Sequence, residues 1–104
     1  MTTLSGFQRQ YLKGLAHHLK PVVQIGKNGL TDRVFAQIDR AFLSHELIKV
    51  KFLDHQEEKV IISQAISNEL EGEKVGMVGN MVIFYREHPD REKRKIHLPV
   101  RNGE

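Results

Sequence analysis

The stretch Val22–Phe35, "VVQIGKNGLTDRVF", decides how the rest of the chain is read. A β-branched run, Val22, Val23 and Ile25, ends in two glycines, with Lys27 and Asn28 between them. Thr31 then offers a helix cap, and Asp32 falls in the first turn, where a carboxylate suits the positive helix end. Val34, Ile38, Ala41 and Phe42 recur at i, i+4, i+7 and i+8, the stripe of a half-buried helix. The stretch is therefore strand, tight loop, helix: the start of a crossover unit.

Upstream, "SGFQRQYLKGLAHHLKP" reads as a first helix. Ser5 is its cap and Pro21 its stop. Phe7, Tyr11, Leu15 and Leu19 recur every four residues, with Leu4, Leu12 and Ala16 flanking that stripe. Gln8, Arg9, Lys13, His17 and Lys20 fall largely off it. Downstream, the second helix ends near His45 and "ELIKVKFL" is a strand. Ile48, Val50 and Phe52 alternate there with Lys49 and Lys51, so one face is apolar and the other partly basic.

A third helix is expected from about Gln56 to Leu70, with Val60, Ile61, Ala65 and Ile66 as its buried stripe. "EKVGMVGNMVIFYRE" gives two strands around the turn pair Gly79–Asn80. The tail "HPDREKRKIHLPVRNGE" is polar and basic, with an apolar patch at Ile96, Leu98 and Val100; it reads as extended or partly ordered. The order is helix, strand, helix, strand, helix, strand, strand. That alternation implies parallel crossovers, with a final hairpin adding an antiparallel member.

The 104 residues suit a single domain, and 39% apolar with 28% charged residues is a globular balance. There is no cysteine, which excludes disulfides, thiolate nucleophiles and cysteine-held metals. No apolar run approaches the roughly 20 residues that span a bilayer. The first residues lack the apolar core of a secretory signal, so the cytoplasm is the expected compartment. The net charge of +3 is unevenly spread. Residues 1–33 set five basic groups against Asp32 alone, residues 34–85 carry a net −3, and residues 86–104 a net +2. If the fold brings the two basic ends together, they make a face suited to phosphates. An ordinary mixed-charge surface is the competing reading.

"IGKNGLT" is not a P-loop: only two residues separate its glycines and no Lys follows the second. Nor does it hold the additional glycine of a dinucleotide loop. Two readings remain, a plain strand-to-helix turn or a GxxG clamp. In a clamp, the missing side chains let a sugar-phosphate backbone approach, and amides at the helix start donate to phosphate oxygens. His17 and His18 point in different directions on a helix, and "HELIK" at His45 has Lys49 where a zinc protease motif needs histidine. No metal or cofactor is expected. Glu57 and Glu58 are adjacent, badly placed as a facing acid–base pair, and no serine sits in a nucleophile elbow. Phe84 and Tyr85 alternate, so at most one can face outward to stack on a base. Arg86 is either a phosphate contact or a surface charge.

"LKGLAHHLKPVVQIGKNGLTDRVFAQIDRAFLSHELIKVKF", followed by "GNMVIFYRE", resembles the YhbY-type bacterial proteins. These consist of one CRM domain, the chloroplast RNA splicing and ribosome maturation module. The resemblance runs from about Leu4 to Arg86. It implies an α+β fold, a two-layer α/β domain with a mixed four-stranded sheet in the order 1-2-4-3 and the last strand antiparallel. That fold is similar to the C-terminal domain of translation initiation factor three. The resemblance also implies RNA binding, with ribosomal large-subunit precursors as targets and the GxxG loop as a contact.

The expectation is thus a CRM domain over residues 1–88 and a basic tail over 89–104, packed on the domain or partly ordered. The chain is expected to be a monomer and not an enzyme. Its partner is RNA, with no membrane and no small-molecule substrate. Its candidate RNA contacts are Gly26, Lys27, Asn28 and Gly29, joined by Arg9, Lys13, His17, Lys20 and Arg86. The rival is an adaptor whose basic face meets an acidic protein.

Overall fold

The structure, a computed structural model, describes residues 4–100. The outermost residues of the expected domain and tail, 1–3 and 101–104, lie outside the described residues.

Helix α1 spans Gly6–Ala16. Ser5 caps it by accepting from the Gln8 amide, while the Gln8 side chain accepts from the Ser5 amide. This reciprocal pair satisfies two donors that a helix start leaves open. The helix ends earlier than the sequence suggests. The His17 amide reaches back to Lys13 and Gly14, and the Leu19 amide to Ala16, which tightens the last turn. Pro21 disfavours helical geometry at Lys20, and the helix has ended before it. Strand β1 follows at Val23–Ile25 and helix α2 at Asp32–His45, capped by Thr31 through the Val34 amide. Strand β2 is Leu47–Phe52 and helix α3 is Lys59–Leu70, preceded by a 3-10 turn at Gln56–Glu58. Strands β3, Glu73–Val78, and β4, Met81–Tyr85, form the closing hairpin.

The sheet order is β1-β2-β4-β3. β1 runs parallel to β2, and β4 runs antiparallel to both β2 and β3. The mixed sheet and its one reversed strand are as expected.

One face carries the larger core. Val23, Ile25, Ile48, Val50, Phe52, Val82 and Phe84 meet Ile38 and Phe42 of α2 and Ile66 of α3. The α2 stripe is as expected, with Val34 and Ala41 packed at its margin. The α3 stripe is as expected only at Ile66, with Ala65 half-buried. Val60 and Ile61 are 60% and 73% exposed, and Ser63 and Ile66 point inward with Ile62 and Leu70 beside them. "VII" is apolar on every side, so its periodicity cannot choose a face.

The opposite face carries a second core, which adds a layer to the expected two. Leu4, Leu12 and Ala16 pack on Leu47, Val75, Ile83 and Tyr85, with Ile96 and Leu98 of the tail against them. The expected α1 stripe of Phe7, Tyr11, Leu15 and Leu19 is instead about two-fifths exposed, and its flanking residues are the buried ones.

Helix α1 lies across the strands. Arg9 pairs with Glu73 at the start of β3, and Lys13 passes over Gly76. At the far end, the Leu19 carbonyl accepts from Lys49 of β2.

The tail is fastened by Glu46, a buried residue with φ +61 between α2 and β2. Its carboxylate accepts from the amides of His88, Lys95 and Ile96 at 2.9, 2.6 and 3.1 Å. Val100 is exposed, so only two members of the expected apolar patch are seated.

Candidate nucleic-acid interface

The Gly26–Gly29 loop leaves the end of β1 and enters α2 on the molecular surface. Lys27 and Asn28 are its exposed tip. The Gly29 amide donates to the Gly26 carbonyl at 3.0 Å, closing the turn. The two glycines differ physically. Gly29 has φ +70, a conformation that strains any other L-residue. Gly26 has no positive φ, and a Cβ placed on it would meet nothing within 4 Å. The fold therefore requires glycine at position 29 and leaves position 26 open toward solvent. The Lys27 and Asn28 amides have no partner among the described residues.

The loop is braced from below. His55 Nε2 lies 2.8 Å from the Lys27 carbonyl oxygen, and the imidazole sits 3.6 Å from where a Gly29 Cβ would be. His55 itself has φ +58, with its amide donating to Asp54 Oδ1. The bond to the Lys27 carbonyl, then the charges of Asp54 and Glu58, raise the His55 pKa above its usual 6.5 against a smaller opposing effect of burial. Sequence reasoning missed His55; its only trace is a polar "DHQ" after a strand.

The other candidates do not form one cluster. Lys13 is exposed and crosses the sheet over Gly76. His17 and Lys20 are exposed beyond the end of α1, at the strand starts, opposite the loop end. The His17 and His18 rings meet edge to face at 5.3 Å. Arg9 sits on the β3 side of the sheet, paired with Glu73 at 3.7 Å. Three inter-strand steps separate β3 from β1, about 14 Å.

Arg86 has another task. Its guanidinium donates to Asp39 Oδ1 at 2.8 Å and to the carbonyls of Leu70 and Asp39, and it stacks over Phe42 at 4.7 Å. It ties β4 to α2 and to the end of α3, at the sheet end away from the loop. The guanidinium is thus held within the fold, engaged with Asp39, Leu70 and Phe42.

Neither aromatic of the pair Phe84–Tyr85 is outward; each serves one of the two cores. Burial, then the charges of Glu46 and Glu87, push the Tyr85 hydroxyl up to about 12. Two cations outside the expected contacts, Lys49 and Lys51, stand on the α1 side of β2 at the margin of the buried region. Their alternation in "IKVKF" was the available signal. Among the described residues, no group of three or more His, Asp or Glu side chains could hold a metal. No helix among them is long and apolar enough to cross a membrane.

The pattern that defines the CRS1 / YhbY (CRM) domain matches residues 4–86, most of the chain. The chain belongs to the CRM-domain family. It is 49% identical over 100 residues to an RNA-binding protein of Haemophilus influenzae, covering 95% of this chain and 98% of that one. It is 36% identical over 97 residues to the Probable RNA-binding protein YqeI of Bacillus subtilis, covering 92% and 99%. The solution structure of the hypothetical protein SAV1595 from Staphylococcus aureus superimposes with a TM-score of 0.77 at 35% identity, covering 93% of this chain and all of that one. These CRM relatives are thus single-domain proteins of similar length.

Proposed function

We propose that this CRM protein binds RNA by its sugar-phosphate backbone at the Gly26–Gly29 loop. The observation that carries the reading is Gly26, an open position that neither backbone conformation nor packing reserves for glycine. A side chain there would stand between a ligand and the unpartnered amides of Lys27 and Asn28. Its absence lets a phosphate oxygen reach them. Lys27 supplies a mobile cation beside the amides, and Lys13 and Lys20 extend positive charge along the α1 side, with the exposed His17 between them. Binding is docking without bond chemistry, and RNA shape rather than base edges supplies most of the selectivity.

The proposed target is large-subunit ribosomal RNA or its precursor particle, in the cytoplasm, met by a monomer. The names of the relatives support RNA as partner, and the resemblance to the YhbY-type proteins supports the ribosomal target.

Filter binding to structured RNA over a salt series tests the loop. Wild type is expected to lose affinity steeply as salt rises. Gly26→Asp with Lys27→Glu is expected to remove most binding while the chain stays folded. Unchanged affinity in that folded double variant rejects the loop. Crosslinking in cells, followed by sequencing of the attached RNA, tests the target; reads spread evenly over unrelated transcripts reject it.

A further inference from the structure

Strand register places Gln24, Lys51, Met81 and Val78 in one row across all four strands. The row lies on the α1 face, because the alternate residues Val23, Ile25, Val50, Phe52 and Val82 fill the opposite core. Helix α1 and the tail cover only the other half of this face, where Leu47, Ile83 and Tyr85 are buried. The row itself is open: Val78 is 63% exposed, Gln24 is exposed, and Lys51 and Met81 are partly so.

The result is a shallow apolar shelf, Met81 and Val78, bordered by ammonium groups. Lys51 rises from the row itself. Lys13 reaches in from α1 over Gly76, where a Cβ would collide with the lysine Cε, so the missing side chain is what lets the cation cross. Lys49 stands one row back, with one of its donors on the Leu19 carbonyl. Of the neighbouring carboxylates, Asp54 lies two residues past the end of β2, and Glu73 lies at the covered end, paired with Arg9. Gln24, at the β1 end of the row, precedes the Gly26–Gly29 loop by two residues, about 7 Å along β1, and Met81 and Val78 lie two and three strands across from it, about 10 and 14 Å.

We propose that this open half-sheet is a second RNA contact, taking the unpaired nucleotides that continue from the strand held at the loop. Bases lie on Met81 and Val78 while Lys51 and Lys13 meet the flanking phosphates. Two features select single-stranded RNA over a protein as occupant. The apolar area is only two side chains wide, and its border is cationic. A flat sheet face of this kind suits splayed bases, which every sequence can present. The inference rests on RNA binding at the loop.

The test uses the full chain with two fluorescent RNA probes, a blunt hairpin and the same hairpin with a single-stranded extension. Wild type is expected to prefer the extended probe. Lys51→Glu with Val78→Glu, both outside the cores, is expected to lower affinity for the extended probe about tenfold and to leave the blunt probe unchanged. The salt slope on the extended probe is expected to fall by about 0.7 for each phosphate that the variant no longer neutralises. Ultraviolet crosslinking of wild type is expected to mark the peptide holding Val78 and Met81. Wild-type affinity for both probes in this variant, with binding abolished in Gly26→Asp plus Lys27→Glu, overturns the shelf and leaves the loop standing. Full binding in both variants overturns both. A nuclear magnetic resonance fingerprint matching wild type establishes that each variant is folded.

Discussion

His55 Nε2 stands 2.8 Å from the Lys27 carbonyl oxygen, so a residue 28 positions downstream holds the exposed glycine loop in place. The turn is also closed by the Gly29 amide on the Gly26 carbonyl, and an ordered amide pair binds an anion at lower entropic cost than a mobile one. The contact therefore connects the β2–α3 connection to whatever the loop grips.

That contact carries a pH dependence. The His55 pKa is raised above 6.5, first by the bond to Lys27. A raised histidine stabilises its bonded state fully below 6.5, and the contribution is lost as pH rises through the raised value. A resonance titration is expected to give His55 a midpoint above 6.5. Exchange of the loop amides in the free protein is expected to rise over the same interval beyond the intrinsic effect of pH. In His55→Ala that additional rise disappears. A midpoint at or below 6.5 contradicts the brace.

The two loop glycines are expected to separate stability from binding. Gly29→Ala forces alanine into φ +70 and costs about 1–2 kcal/mol in urea unfolding. Gly26→Ala enters open space and changes stability by less than about 0.5 kcal/mol. Its RNA affinity is nevertheless expected to fall, because under the proposed clamp the added methyl group narrows the approach of a sugar-phosphate backbone to the loop. A Gly26→Ala chain that binds RNA as well as wild type removes the clamp reading.

Arg86→Ala is expected to destabilise by about 2–4 kcal/mol. It leaves the Leu70 carbonyl and Asp39 without their donor and uncovers the Phe42 ring. Below its lowered melting point, its RNA affinity and salt slope are expected to match wild type. A shallower salt slope in the folded variant would return Arg86 to the RNA contacts.

Glu46→Ala is expected to free the tail and cost about 3 kcal/mol or more, since three amides lose one acceptor group. Amide exchange at Lys95 and Ile96 reports this directly. Protection there equal to wild type would show that Ile96 and Leu98 hold the tail by packing alone.

Much of this fold is legible in the sequence where a pattern is local. Val34, Ile38, Ala41 and Phe42 name the inner face of α2, and Ile48, Val50 and Phe52 name that of β2, because burial repeats with the element's own period. The same logic misplaces α1. Its strongest stripe, Phe7 to Leu19, is about two-fifths exposed, while Leu12 and Ala16 on the flank of that stripe fit against the sheet. The loop is legible as a motif, but the difference between its two glycines is visible only in φ and open space. Arg86 and Glu46 are illegible for another reason. Asp39 lies 47 residues from Arg86, and the amides that Glu46 receives lie 42 to 50 residues from it. A charge does not announce where its counterpart will be folded.

The Glu46 anchor also orders events in time. A chain emerging from the ribosome can assemble the strands and α2 while the amides of Lys95 and Ile96 are still unmade or inside the exit tunnel. Until they arrive, the carboxylate keeps its water and α1 lacks its outer seam. Completion of the fold thus waits for Lys95 and Ile96, about fifty residues after the carboxylate that receives them.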